Sequence, residues 1–143
     1  MDINVQDIMS EIYKDIDNMN LSVAELYGGN SYYLKCIDQM KKGDEIVVVG
    51  AGNHGKILLR MLSLEGLDHK TFVCDNNNKI HGLEIKGHVV TSIEDAVSNH
   101  PNAVFVITPM KYENELMQQL GNLGVNLTNI MLFIVPFSGL RME

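Results

Sequence analysis

Apolar positions return at two different periods along this chain, and the change from one to the other divides it. Over the first forty residues Val5, Ile8, Met9, Ile12, Ile16 and Met19 recur at helical spacing with Asp, Glu, Lys and Asn between them, which predicts an amphipathic helix of about four turns. Ser22 and Glu25 have capping-box spacing for a short helical turn, and Gly28-Gly29 breaks it. A second helical stretch then carries Tyr33, Ile37 and Met40, and Lys41-Lys42-Gly43-Asp44 closes the unit.

From there short apolar runs alternate with helical spacing. Glu45-Ile-Val-Val-Val-Gly50 is a nearly continuous β-branched run, the pattern of a parallel strand buried on both faces and the candidate central strand. Asn53 to Glu65 comes next as a helix with Ile57, Leu58, Met61 and Leu62 on one face, Lys56 and Arg60 turned away, and Gly66 at its end. Thr71 to Asp75 is the second strand, and Gly82-Leu-Glu-Ile-Lys-Gly87 to Val90 reads as a short extended, hairpin-like piece. Ser92 with Asp95 caps a short helix through Val97, Ala103 to Thr108 is another apolar strand, and Pro109 ends it. Glu113 to Leu123 gives a helix with Leu116, Met117, Leu120 and Leu123 inward, and Asn129 to Ile134 returns as the last strand. Alternating elements of these lengths predict an α/β fold: a mostly parallel sheet with helices on both faces, preceded by an N-terminal helical segment. The expected division is a helical segment over residues 1 to 42 and an α/β domain over residues 43 to 143.

The first strand runs into Gly50-Ala-Gly52-Asn53-His54-Gly55. Three glycines at this spacing are common by chance, but here they leave a buried strand and open an amphipathic helix. Gly50 then permits the tight turn, Gly52 lets phosphate approach the backbone, and Gly55 permits close helix–strand packing. The helix N-terminus supplies free N–H groups and partial positive charge to an anion. Asp75 ends the next strand, where a carboxylate accepts from ribose hydroxyls. Asn76 stands directly after it, and Thr108-Pro109 ends the strand expected beside the first. Strand, loop, helix and acidic residue together describe a Rossmann-like nucleotide-binding domain. Its candidate binding residues are Gly50, Gly52, Asn53, His54, Gly55, Asp75, Asn76, Thr108 and Pro109. No Arg stands in Asn76-Asn77-Asn78 to receive a 2′-phosphate, so NAD or a nucleotide-sugar is expected rather than NADP. The plainer alternative is that the glycines only turn the chain and Asp75 caps a turn with the asparagines.

Composition narrows the partners. A formal net charge of −7 opposes broad binding to nucleic acid, which needs clustered Lys and Arg. The acidic start lacks a signal-peptide pattern and no apolar run approaches the roughly 20 residues of a membrane span, so a cytoplasmic protein without membrane insertion is expected. Cys36 and Cys74 have no CxxC spacing and read as small core residues. The histidines at 54, 69, 81, 88 and 100 are too dispersed for a metal motif, and no metal site is expected. No Ser–His–Asp or Cys–His set is assignable, and Tyr32 to Lys35 lacks the Tyr-x-x-x-Lys spacing of a short-chain dehydrogenase.

The stretch from Glu45 to Ile134 resembles Rossmann domains of bacterial surface-polysaccharide proteins, including the nucleotide-binding regions that accompany sugar-modifying transferases and methyltransferases. The resemblance lies in Val-Val-Gly50-Ala-Gly52-Asn-His-Gly55-Lys, Phe-Val-Cys-Asp75-Asn76-Asn77, Gly82-Leu-Glu-Ile-Lys-Gly87-His-Val and Ile93-Glu-Asp-Ala96. It is also similar to the N-terminal domain of sialic-acid-type and bacillosamine-type sugar acetyltransferases, whose loop has Gly where Asn53 stands here. Their hexapeptide repeats are absent from this sequence, so acetyl transfer is not implied. The resemblance implies a nucleotide or nucleotide-sugar-binding part of a surface-glycan biosynthesis protein.

The leading expectation is therefore a non-catalytic binding domain for NAD or a nucleotide-sugar. One alternative is an enzyme, or half of one, that modifies an activated sugar with His54 as general acid or base. Another is an interaction module whose N-terminal helices form a homodimer or dock a partner catalytic domain.

Overall fold

A computed structural model describes residues 31 to 133, except the side chains of residues 31 to 35 and 110. The helix expected over Val5 to Met19, the turn at Ser22, the Gly28-Gly29 break and the segment from Ile134 to Glu143 lie outside the described residues. Helix α1 (Ser31–Lys42) leads into β1 (Ile46–Val49), α2 (Asn53–Leu64), β2 (Thr71–Cys74), the hairpin β3 (Glu84–Ile85) and β4 (His88–Thr91), α3 (Ile93–Asn99), β5 (Val104–Ile107), α4 (Glu113–Asn122) and β6 (Ile130–Leu132). The six strands form one sheet in the order β3-β4-β2-β1-β5-β6. All neighbours are parallel except the β3–β4 edge. This is the Rossmann-like α/β fold expected from the alternation.

The β-branched run is central because both its faces are covered. Ile46 and Val48 point into a core shared with Ile37 and Met40 of α1 and with Ile57, Leu58, Leu59, Met61 and Leu62 of α2. Val47 and Val49 point the other way, into a core with Ile93, Ala96 and Val97 of α3 and Leu116 and Leu120 of α4. All four side chains of β1 are inaccessible to solvent, so the strand cannot show the polar alternation of a half-exposed one. At the sheet's edge the segment from Gly82 to Val90 is a hairpin, turned by Lys86 and Gly87, both at positive φ, as the primed two-residue turns require.

Two helix faces differ from the helical pattern. Leu59 is buried beside the predicted stripe of α2 and joins the same core as Ile57, Leu58, Met61 and Leu62, so the apolar face of α2 is wider than that stripe. Leu123, expected inward, is 37% exposed. It lies just past the end of α4 and caps the helix with its N–H to Gln119 O and Leu120 O, and Val125 fills the core position instead.

Candidate functional site

The chain passes from β1 through α2 to β2 on one side and returns through α3 to β5 on the other. The connections leaving β1 and β5 therefore diverge above the carboxyl ends of these strands, where ligands bind in open α/β sheets. Gly50 to Gly55 sits at that point.

The three glycines have three different surroundings. Gly50 has φ +105, and a Cβ there would lie 2.6 Å from Thr108 Oγ1 and 2.8 Å from Pro109. A Cβ on Gly55 would come within 2.0 Å of Gly50 O, so the start of α2 can press on the turn only because residue 55 has no side chain. Gly52 has nothing within 4 Å of its Cβ position and faces open space. It is also the N-cap of α2, and among the described residues no side chain caps the helix there. The helix thus presents its first amides and positive dipole end outward.

Asp75 holds the loop. Its Oδ2 accepts from Ala51 N–H at 2.8 Å and its Oδ1 accepts from Asn77 N–H at 2.8 Å. The turn with the asparagines predicted as the plain alternative is therefore formed, while the same carboxylate also anchors the glycine loop. Both oxygens keep lone pairs for a further donor. The Asp75 carbonyl accepts from His81 Nε2 at 2.6 Å, and because a carbonyl only accepts, Nε2 carries the proton. Thr108 is buried, and its hydroxyl faces Val49 O at 2.9 Å and Gly50 O at 3.2 Å. That hydroxyl latches β5 to the turn and is turned away from the open space. His54 is half-buried with Nδ1 3.4 Å from Thr108 O, a carbonyl rather than a carboxylate partner.

Two clefts meet at Gly52 and Pro109. The first, of about 440 Å³, is walled by Val49, Ile93, Pro109, Tyr112 and Leu116, with Asp75, Asn76, Glu115 and Gln119 around it. The second, of about 400 Å³, is lined by Gly52, Asn53, His54, Gly55, Thr108, Pro109 and Lys111. Among the described residues, carboxylates stand only in the first and a Lys only in the second. Of the nine residues expected at the site, Gly50, Gly52, Asp75, Asn76 and Pro109 line the first cleft, and Asn53, His54, Gly55 and Thr108 line the second.

Sequence reasoning missed the contribution of Tyr112, just before α4, and of Glu115, Leu116 and Gln119 within it. Pro109 at the end of β5 was the available signal, since the helix entered there must cover the switch point. Next to the site, Cys74 is buried; burial, then the charges of Asp75 and Glu94, push its thiol well up, so it stays protonated and behaves as a core residue. No helix among the described residues is long and apolar enough to cross a membrane.

Comparison with known proteins adds the family. The C-methyltransferase C-terminal domain model matches residues 30 to 136, most of the chain. This chain belongs to the C-methyltransferase C-terminal domain family. No curated protein matches it. Among solved structures, RSP, a Rex-family repressor, is 21% identical with a TM-score of 0.50 over 88% of this chain and 68% of RSP. RSP in complex with beta-NADH is 21% identical with a TM-score of 0.51 over 91% and 70%. RSP with beta-NAD+ and operator DNA is 13% identical, TM-score 0.51, over 97% and 89%. At these identities the likeness is one of fold.

Proposed function

We propose that this domain binds a nucleotide-containing small molecule, NAD or a nucleotide-sugar, and performs no chemistry itself. It would serve as the ligand-holding end of a C-methylating protein. The observation that carries the reading is the N-terminus of α2, uncapped by any side chain among the described residues, opening between two clefts at the switch point of the sheet. A diphosphate at Gly52 would face the helix amides, with the nucleoside on the Asp75 side and the remaining group toward His54 and Lys111. Further support comes from the NADH and NAD+ complexes of RSP, the similar fold.

The binding role is favoured over catalysis because, among the described residues, the His54 ring meets neither a nucleophile nor a carboxylate and its one polar contact, to Thr108 O, is long at 3.4 Å. A nucleophile paired with its base is the signature of such catalysis. A surface-glycan setting belongs to the same proposal. Its support is the Asp75-Asn76-Asn77 turn and, after it, the Gly82 to Gly87 hairpin, the segment in which the likeness to polysaccharide-enzyme domains is most specific.

Calorimetric titration with NAD, NADP, UDP-sugars, CDP-sugars and S-adenosylmethionine tests the proposal. NAD or a nucleotide-sugar is expected to bind, and NADP to bind more weakly than NAD, since a 2′-phosphate would meet the Asp75 carboxylate. Absence of any binding at millimolar ligand removes the proposal.

A further inference from the structure

Across the mouth of the first cleft, Asn76 and Gln119 form a reciprocal amide pair. Asn76 Nδ2 donates to Gln119 Oε1 at 2.8 Å, and Gln119 Nε2 donates to Asn76 Oδ1 at 3.0 Å. The other Nε2 hydrogen of Gln119 goes to Glu94 Oε1 at 3.3 Å. A carboxylate only accepts, so Glu94 decides which end of the Gln119 amide is nitrogen, and the reciprocal pair then decides the same for Asn76.

Asn76 thus holds out an adjacent donor and acceptor, and Gln119 fills that edge with the complementary pattern. A nucleobase has the same pattern on its own edge. Adenine offers its amino group beside a ring nitrogen, and uracil offers N3–H beside a carbonyl. The walls next to the pair are apolar, with Val49, Ile93 and Leu116 among them. Apolar walls with polar groups at one edge suit a flat ring whose faces are apolar and whose rim is polar.

We infer that Asn76 is the reader of the nucleobase, and that Gln119 is a built-in competitor standing where the base edge belongs. The inference rests on the nucleotide-binding reading of the same site. When a base takes the Asn76 edge, Gln119 keeps its bond to Glu94 and reaches water with the rest, so no polar group is orphaned. The exchange is close to even in hydrogen bonds, and the net gain comes from covering the apolar walls. The two partners therefore have opposite signs: loss of Asn76 weakens binding, and loss of Gln119 strengthens it.

The test is calorimetry on the full chain with ADP and UDP, each beside an edge-blocked analogue, purine riboside 5′-diphosphate and N3-methyl-UDP. The better of ADP and UDP is expected to bind roughly tenfold tighter than its blocked analogue. Asn76→Ala should weaken it to the level of the analogue and erase the preference. Gln119→Leu should tighten it about threefold. Urea midpoints confirm that both variants fold. Preference retained in Asn76→Ala overturns the reader while the nucleotide site stands, and affinity unchanged or weakened in Gln119→Leu overturns the competitor. If neither ADP nor UDP binds at millimolar concentration, this inference falls, and the nucleotide reading falls with it only if NAD and the nucleotide-sugars also fail to bind.

Discussion

At the amino ends of the strands, side chains close on one another. Lys70, just before β2, donates to Lys41 O at 2.8 Å and Gly43 O at 2.6 Å, satisfying carbonyls at the end of α1 and tying that helix to the sheet. His100, after α3, lies 2.6 Å from Glu45 Oε2 and stacks on Phe72 with ring centroids 3.8 Å apart. At the carboxyl ends a glycine loop stands among polar side chains such as Asp75, Asn76 and Gln119, the N-terminus of α2 has no side-chain cap among the described residues, and two clefts open between the connections. The same strands supply both ends, so the difference lies in the connecting segments: charged and aromatic side chains that tie neighbouring elements together at one end, and at the other a glycine loop whose surrounding side chains leave clefts beside it. A fold can commit side chains to closing one end and leave backbone donors available at the other, and a binding role belongs at the second.

Predictions that break or sharpen this contrast run from large to small. Gly55→Ala should cost about 3 kcal/mol in urea unfolding, because its Cβ meets the Gly50 carbonyl and the backbone must shift; a stable variant would show that the helix does not press on the turn. Asp75→Ala should cost about 2 kcal/mol, since it strips the acceptor from two loop N–H groups. It should also weaken nucleotide binding, and intact affinity would mean that the loop holds its shape without its anchor. At the opposite end, His100→Ala should cost about 1 kcal/mol through the lost Glu45 contact and ring stacking, with ligand affinity unchanged. A change in affinity there would dissolve the separation of the two ends. Gly52→Ala should move stability by no more than about 0.5 kcal/mol, as its Cβ enters open space. Yet it should lower nucleotide affinity, because that space is where phosphate would approach the amides.

The glycine set shows how far local pattern reaches. Gly50, Gly52 and Gly55 each have a distinct physical reason in their position between a strand and a helix, and the geometry around each agrees with a turn, an open approach and a close contact in that order. Such reasons are local, spanning a strand end and one helical turn, so they are legible in sequence. Asp75 is only half legible. Its place at the end of β2 comes from periodicity, but its bond to Ala51 N–H joins residues 24 apart, and nothing in either segment announces the other.

Leu123 and Gln119 mark the limit. Helical spacing places Leu123 on the inward stripe of α4, whereas α4 ends at Asn122 and Val125 takes the core position; one residue at a helix end is decided by packing. Gln119 looks like an ordinary exposed helix residue until the fold brings it to Asn76, 43 positions away, and to Glu94.

By itself the sequence determined the order of strands and helices, the buried character of β1 and the glycine turn between β1 and α2, because each depends on the period of apolar residues or on neighbours within a few positions. Tertiary structure alone decided that α4 stands beside the loop, that two clefts flank Gly52, and that an amide pair spans one of them. These are contacts between segments far apart in the chain, and their partners are chosen by strand order and helix packing rather than by any local pattern.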